Sequence, residues 1–268
     1  AVTASSFTVA NSSNGATGTG SLTIGRRPLT ITANNASKTY GQTLTFAGTE
    51  FTATGLVNAD TVTSVTLASS GAPSTATVAG SPYSIVPSNA VGTGLANYNI
   101  SYVNGNLTVN AKALTVTADN QSKTYGSIFT FSGSEFTAVG LENSDTVASV
   151  TLTSAGSAAT STVAGSPYPI MPSDAIGTGL SNYAIAYVNG AMVVTPANLL
   201  ISASSDTMVY GGTVPIITPI YSGLQAGDTQ PSTPPTCSTI ATGTSPVAGS
   251  PYISSCTGDV PVAIVEQV

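Results

Sequence analysis

The chain contains no histidine and no tryptophan, and its 268 residues carry only 5 Lys or Arg against 11 Asp or Glu. Without imidazole the commonest general base and metal ligand is missing, so an ordinary hydrolase or metalloenzyme is not expected. No Ser-His or Cys-His pair can be assembled, and the acidic residues do not fall into the recognisable pairs of carboxylate catalysis. The sequence therefore reads as non-enzymatic, with no cofactor. Arg26–Arg27 is the only adjacent basic pair. That is too little to neutralise a phosphate backbone, and nucleic acid is not expected as a partner.

Long apolar runs are also missing. None approaches the ~18–20 residues needed to cross a bilayer, so membrane insertion is not expected. The opening AVTASSFTVA lacks the basic and apolar regions of a signal peptide and reads as an already processed chain. Scarcity of charge does not mean disorder here, because 41% of residues are hydrophobic and the mean hydropathy is +0.27. Cysteine is limited to Cys237 and Cys256. In a Ser/Thr-rich, charge-poor chain they point to an oxidising setting, hence an extracellular, surface or secreted location, and to a disulfide rather than two free thiols. The bridge would close a loop of 19 residues and contribute about 3 kcal/mol through chain entropy.

What is present is repetition. SKTYG at Ser37–Gly41 returns at Ser122–Gly126, and MVYG at Met208–Gly211 keeps the register, giving a period of 85 residues. The first two copies align without a gap, carrying Phe46 onto Phe131, Asp60 onto Asp145, Tyr98 onto Tyr183 and Gly105 onto Gly190. VAGSPY occurs three times, ending at Tyr83, Tyr168 and Tyr252. A unit of this length can own a core, so the copies read as tandem domains rather than solenoid repeats. The expected division is an N-terminal strand segment at 1–28 and repeats at 29–113, 114–198 and 199–268. The last holds the cysteines and is incomplete at its closing hairpin. The joint Asn106–Ala118 alternates almost continuously, which predicts a stiff connection with strand running into strand.

Within each copy the apolar period is two. Leu29–Ala33, Thr43–Phe46, Ser64–Leu67, Tyr98–Val103 and Asn106–Val109 all alternate and are rich in β-branched residues. Asn104-Gly105 and Asn189-Gly190 sit between two such runs, which predicts two-residue type I′ hairpins. No window shows a convincing helical period. The fold class is all-β, with small Ig-like sandwiches of about 85 residues arranged end to end.

The order of motifs resembles the MBG domain: an LTI/VTA strand, K-T-Y-G (Lys38–Gly41, Lys123–Gly126), and G-L-x-x-x-D-T (Gly55–Thr61, Gly140–Thr146, Gly223–Thr229), followed by G-S-P-Y and N-Y-x-I-x-Y-V-N-G (Asn97–Gly105, Asn182–Gly190). Such modules occur in tandem in bacterial surface and secreted proteins, including filamentous adhesins. The resemblance implies a spacer or structural role outside the cell, and it assigns no catalytic or binding residue. The third copy departs from it, with Met208 in place of the K-T-Y-G lysine.

Three recurring side-chain types invite specific chemistry. Asp60, Asp145 and Asp228 suggest calcium, but each copy offers only a few scattered acids, so an Asx turn cap is the expected role. Lys38 and Lys123 suggest an isopeptide cross-link, but beside a turn they are expected to be solvated charges. Tyr40, Tyr83, Tyr98 and Tyr102 suggest a carbohydrate-stacking face, but their repetition along strands predicts core residues whose hydroxyls find a partner.

The function expected is a non-catalytic structural module of an extracellular bacterial fibre or adhesin stalk. Its partners would be copies of itself or neighbouring modules of one array. The alternative is a receptor- or glycan-binding third repeat, divergent around Gln230–Pro246. The front of the chain resembles what the third repeat lacks: Ser5–Ala10 and Thr19–Gly25 alternate around an Asn/Gly turn, presenting Phe7, Val9, Leu22 and Ile24. Either residues 1–28 end a preceding module of a longer array, or these strands complete the third repeat of the next subunit by β-strand addition, head to tail. Closure within one chain is not expected.

Overall fold

The computed structural model describes residues 5–10, 17–225 and 227–258, with side chains from Ser21 onward. Every regular element is a strand or a single 3₁₀ turn, and no α-helix occurs among the described residues. Among the described residues no helix is long and apolar enough to cross a membrane. The chain divides into two compact units. One comprises Ala1–Ala113, Gly140–Asp145 and Gly179–Ala184, and the other Leu114–Val139, Thr146–Thr178 and Ile185–Val268.

The first unit opens with β1 (Ser5–Ala10) and β2 (Thr17–Leu22), an antiparallel pair that forms a two-stranded sheet of its own. Seven strands of the first repeat follow: β3 (Arg27–Ala33), β4 (Ala36–Thr39), β5 (Phe51–Thr54), β6 (Thr61–Ala68), β7 (Tyr83–Thr93), β8 (Tyr98–Val103) and β9 (Gly105–Asn110). They make two sheets, ordered β5-β3-β8 and β4-β9-β7-β6. Alternation along β3 buries Leu29, Ile31 and Ala33, and alternation along β9 buries Leu107 and Val109. Leu29 and Ile31 pack with Val65 of β6 and Tyr98 of β8, so both sheets contribute to one core.

The Asn-Gly hairpins are corrected by this topology. Strand β8 pairs with β3 in parallel, from Arg27↔Tyr98 to Thr32↔Val103, whereas β9 lies between β4, parallel, and β7, antiparallel. Asn104-Gly105 therefore crosses from one sheet to the other instead of folding β8 onto β9. Neither residue has positive φ. The glycine is needed for close approach, because a Cβ on Gly105 would lie 2.6 Å from the Ala33 carbonyl oxygen. Thr43–Phe46 is corrected too. It alternates but finds no strand partner, and Leu44 and Phe46 pack on the Ala33–Ile85–Leu107 cluster from a loop.

In the second repeat the strands are β10 (Lys112–Ala118), β11 (Gln121–Thr124), β12 (Phe136–Val139), β13 (Thr146–Thr153), β14 (Tyr168–Thr178), β15 (Tyr183–Val188) and β16 (Gly190–Thr195). Their sheets, β12-β10-β15 and β11-β16-β14-β13, repeat the order of the first copy. The third repeat is thinner. Strands β17 (Leu200–Ala203) and β18 (Pro219–Ser222) form one two-stranded sheet, and β19 (Thr236–Thr239) and β20 (Ser254–Thr257) form another. Cys237 and Cys256 stand directly opposite in the β19–β20 register and are joined as a disulfide.

Candidate functional site

One bond between recurring residues, tyrosine to aspartate, occurs once in each unit. In the first unit the Tyr40 hydroxyl donates to Asp145 Oδ2 at 2.9 Å, and the Tyr183 hydroxyl donates to the same oxygen at 2.8 Å. The two rings meet edge to face, 5.5 Å between centroids. Around them the Val78 N–H donates to Asn182 Oδ1 at 2.9 Å, Asn143 Nδ2 donates to the Ser74 carbonyl at 3.0 Å, and Lys112 pairs with Glu142. Tyr40 is 4% exposed. Burial pushes its phenol above the ordinary value, and the Asp145 carboxylate adds to that shift against the opposing bond from Asn143. Tyr183 is pushed up to about 12, first by burial and then by the bond to Asp145, against the opposing Glu142 backbone bond.

In the second unit the Tyr125 hydroxyl donates to Asp228 Oδ2 at 3.0 Å, and that bond holds its phenol above the ordinary value. The tyrosine of one copy thus reaches the aspartate of the following copy, twice, from corresponding positions. Beside the second joint lies a cavity of about 560 Å³ lined by Tyr125, Leu199, Leu224 and Asp228 among others.

Two expected roles are corrected here. The aspartates do not cap Asx turns: Asp60 Oδ2 accepts from the Tyr98 hydroxyl at 2.8 Å, matching Asp145 with Tyr183. Gly94 makes room for that carboxylate, since at φ +71 a Cβ there would sit 1.9 Å from Asp60 Oδ1. Nor are the K-T-Y-G lysines solvated. Lys38 is 5% exposed, and its Nζ donates to the carbonyls of Gln42 at 2.8 Å, Ala72 and Pro73; burial lowers its pKa. Lys123 is buried likewise and donates to the Ser127 carbonyl at 2.9 Å. A side chain held by carbonyls ties its loop down without a salt bridge.

The tyrosine expectation divides. Tyr40 and Tyr98 are buried with bonded hydroxyls, while Tyr102 and its copy Tyr187 lie at the surface, accepting from the Ala90 and Ala175 N–H groups at 2.9 Å. The second half of β8 faces outward, which takes Tyr102 out of the core.

Of the N-terminal residues, Leu22 and Ile24 are exposed, at 61% and 67%. Phe7 and Val9 fall in β1 opposite Gly20 and Gly18, and their side chains lie outside the described residues.

A family model, the MBG domain (YGX type), matches residues 29–108 and again 114–193. The chain belongs to the MBG domain family. Its Tyr-Gly-X triplets are Tyr40-Gly41-Gln42 and Tyr125-Gly126-Ser127, so the tyrosines that reach the following repeat head the triplets. No curated protein and no solved structure matches the chain. Sequence reasoning missed the MBG joint, although a signal was there: the tyrosine and the aspartate persist in all three copies, as Tyr210 and Asp228 in the last, while the lysine does not.

Proposed function

We propose that these MBG repeats form a non-catalytic structural subunit of an extracellular bacterial fibre or adhesin stalk, assembling head to tail by β-strand donation. The observation that carries this reading is the tyrosine–aspartate joint, which recurs from copy to copy at the same positions. A repeated joint suits an array whose task is length and stiffness. The disulfide suits a location outside the cell. The lack of histidine and the paucity of charge support a role without catalysis. For assembly, the support is the exposure of Leu22 and Ile24 next to the β1–β2 pair. Sedimentation velocity across a concentration series tests the reading. The mean mass is expected to rise with concentration, and a monomer at every concentration would contradict it.

The cavity beside Tyr125 and Asp228 favours a second reading, in which the third repeat binds a receptor or surface glycan. Glycan-array binding by the chain that is lost on Leu224→Arg would support it, and an empty array would not.

A further inference from the structure

Part of each joint is the same in both. The triplet tyrosine bonds the aspartate of the following repeat, Tyr40 to Asp145 and Tyr125 to Asp228. Beside it, the Gly41 N–H donates to the Ser74 carbonyl and the Gly126 N–H to the Ala159 carbonyl, both at 3.2 Å. The triplet glycine is where the following repeat sits down. At φ +86 a Cβ on Gly41 would lie 2.6 Å from Glu142 Cγ, and at φ +88 a Cβ on Gly126 would lie 2.5 Å from Gln225 Cβ. Glu142 and Gln225 occupy the same place in their repeats, three residues before the joint aspartate.

The remainder differs between the joints, and it differs in matched pairs. In the first joint Asn143 Nδ2 donates to the Ser74 carbonyl at 3.0 Å, and the Ser74 hydroxyl donates to Asn143 Oδ1 at 3.2 Å. The Lys112 ammonium pairs with the Glu142 carboxylate. Ser74 and Lys112 belong to the leading repeat, Asn143 and Glu142 to the following one. At the corresponding positions of the second joint the sequence has Ala159 and Ala197 in the leading repeat, and Ala226 and Gln225 in the following one. The hydroxyl is lost with the amide it meets, and the ammonium with the carboxylate it meets. Such paired change has a physical reason. Removing both members of a bonded pair is nearly neutral, whereas removing one leaves the other short of a partner and costs more than the pair contributes. A mixed joint would strand the Ser74 hydroxyl, and would leave unpaired an ammonium whose side chain is only 29% exposed.

We infer that Ser74, Lys112, Glu142 and Asn143 form an order code between MBG repeats. The tyrosine, glycine and aspartate accept a following MBG repeat of either kind, and the four variable positions select which one. The end of the first repeat fits a follower that presents Glu-Asn ahead of Ser-Asp, as at Glu142–Asp145, and the end of the second fits one that presents Gln-Ala ahead of Gly-Asp, as at Gln225–Asp228. Selection of this kind comes from the penalty on the mismatched neighbour rather than from added strength in the matched one. The code acts between successive repeats of one chain and does not depend on strand donation between chains.

The test is native-state hydrogen exchange of the full chain, read at the Gly41 amide, which donates into the first joint, with the Gly126 amide of the second joint as the control. Glu142→Gln/Asn143→Ala gives the first joint the follower of the second, and protection at Gly41 should fall about tenfold. Ser74→Ala/Lys112→Ala gives it the leader of the second joint, and a fall of about the same size is expected. All four substitutions together convert the joint to the second type, and protection should return to within about threefold of the parent. Protection at Gly126 should stay constant throughout. Losses that multiply in the fourfold variant to about a hundredfold, as for independent sites, would overturn the code. So would the absence of a loss from either pair alone, or an equal fall at Gly126, which would mark a change spread over the whole chain.

Discussion

Tyr40 and Asp145 are 105 residues apart in sequence and share a hydrogen bond of 2.9 Å, the tyrosine donating from one repeat to the carboxylate of the next. That carboxylate also takes the Tyr183 hydroxyl, so one side chain terminates two buried phenols. A buried hydroxyl without an acceptor costs more than a bonded one contributes, which makes the aspartate the sensitive member. Asp145→Ala is expected to destabilise the first unit by about 2 kcal/mol and Tyr40→Phe by about 1 kcal/mol, read from urea midpoints at unchanged slope. Equal effects from the two variants would show that the carboxylate does not serve both phenols.

Lys38→Met places in the first repeat the residue that the third repeat carries at Met208. The carbonyls of Gln42, Ala72 and Pro73 then lose their donor, and a loss of about 1–3 kcal/mol is expected in thermal or urea unfolding. A neutral substitution would mean that solvent replaces the ammonium at those carbonyls without cost.

Acid should act through Glu50 and Glu135. The Glu50 carboxylate accepts from the Ala47, Gly48 and Thr49 N–H groups at 2.8–3.0 Å, and these bonds, led by that from Ala47, hold it below the ordinary 4.5. At Glu135 burial pushes upward, but the Ser132 and Gly133 bonds outweigh it and the net shift is again downward. A carboxyl with a lowered folded pKa contributes stability that is present above about pH 4.5 and is lost as pH falls through the folded value. Glu50→Gln/Glu135→Gln should flatten the stability profile below that pH. An unchanged acid limb would assign acid sensitivity elsewhere.

Alkali should act through the joint tyrosines. Tyr40, Tyr125 and Tyr183 lie above 10, and Tyr183 reaches about 12. A raised folded pKa gives stability that is complete below pH 10 and lost as pH rises through 12. Phenolate formation at Tyr40, Tyr125 and Tyr183 should therefore be delayed until the chain unfolds in alkali, as read by paired absorbance and circular-dichroism titrations. Loss of structure with no late phenolate absorbance attached to it that Tyr40→Phe/Tyr183→Phe removes would contradict these hydroxyl bonds.

Much of the fold was legible because alternation is local. Leu29, Ile31 and Ala33 announce a half-buried strand, and the bridged cysteines follow from a Ser/Thr-rich, charge-poor composition. What was not legible depends on partners far along the chain. Asn104-Gly105 looks alike whether it turns a hairpin or crosses between sheets, and the choice is made by β3 pairing with β8 some 71 residues away. The burial of Lys38 is decided by the loop at Ala72–Pro73, and the role of Asp145 by Tyr40. The N-terminal alternation was read as running to Gly25, whereas β2 ends at Leu22 and leaves Ile24 outside it.

The joint is tested most directly by a double-mutant cycle on Tyr40→Phe and Asp145→Ala, measured by equilibrium urea unfolding of the full chain. A coupling energy of about 1 kcal/mol is expected, because each substitution removes the same hydrogen bond. Additivity within about 0.3 kcal/mol would contradict a tyrosine–aspartate joint between successive repeats.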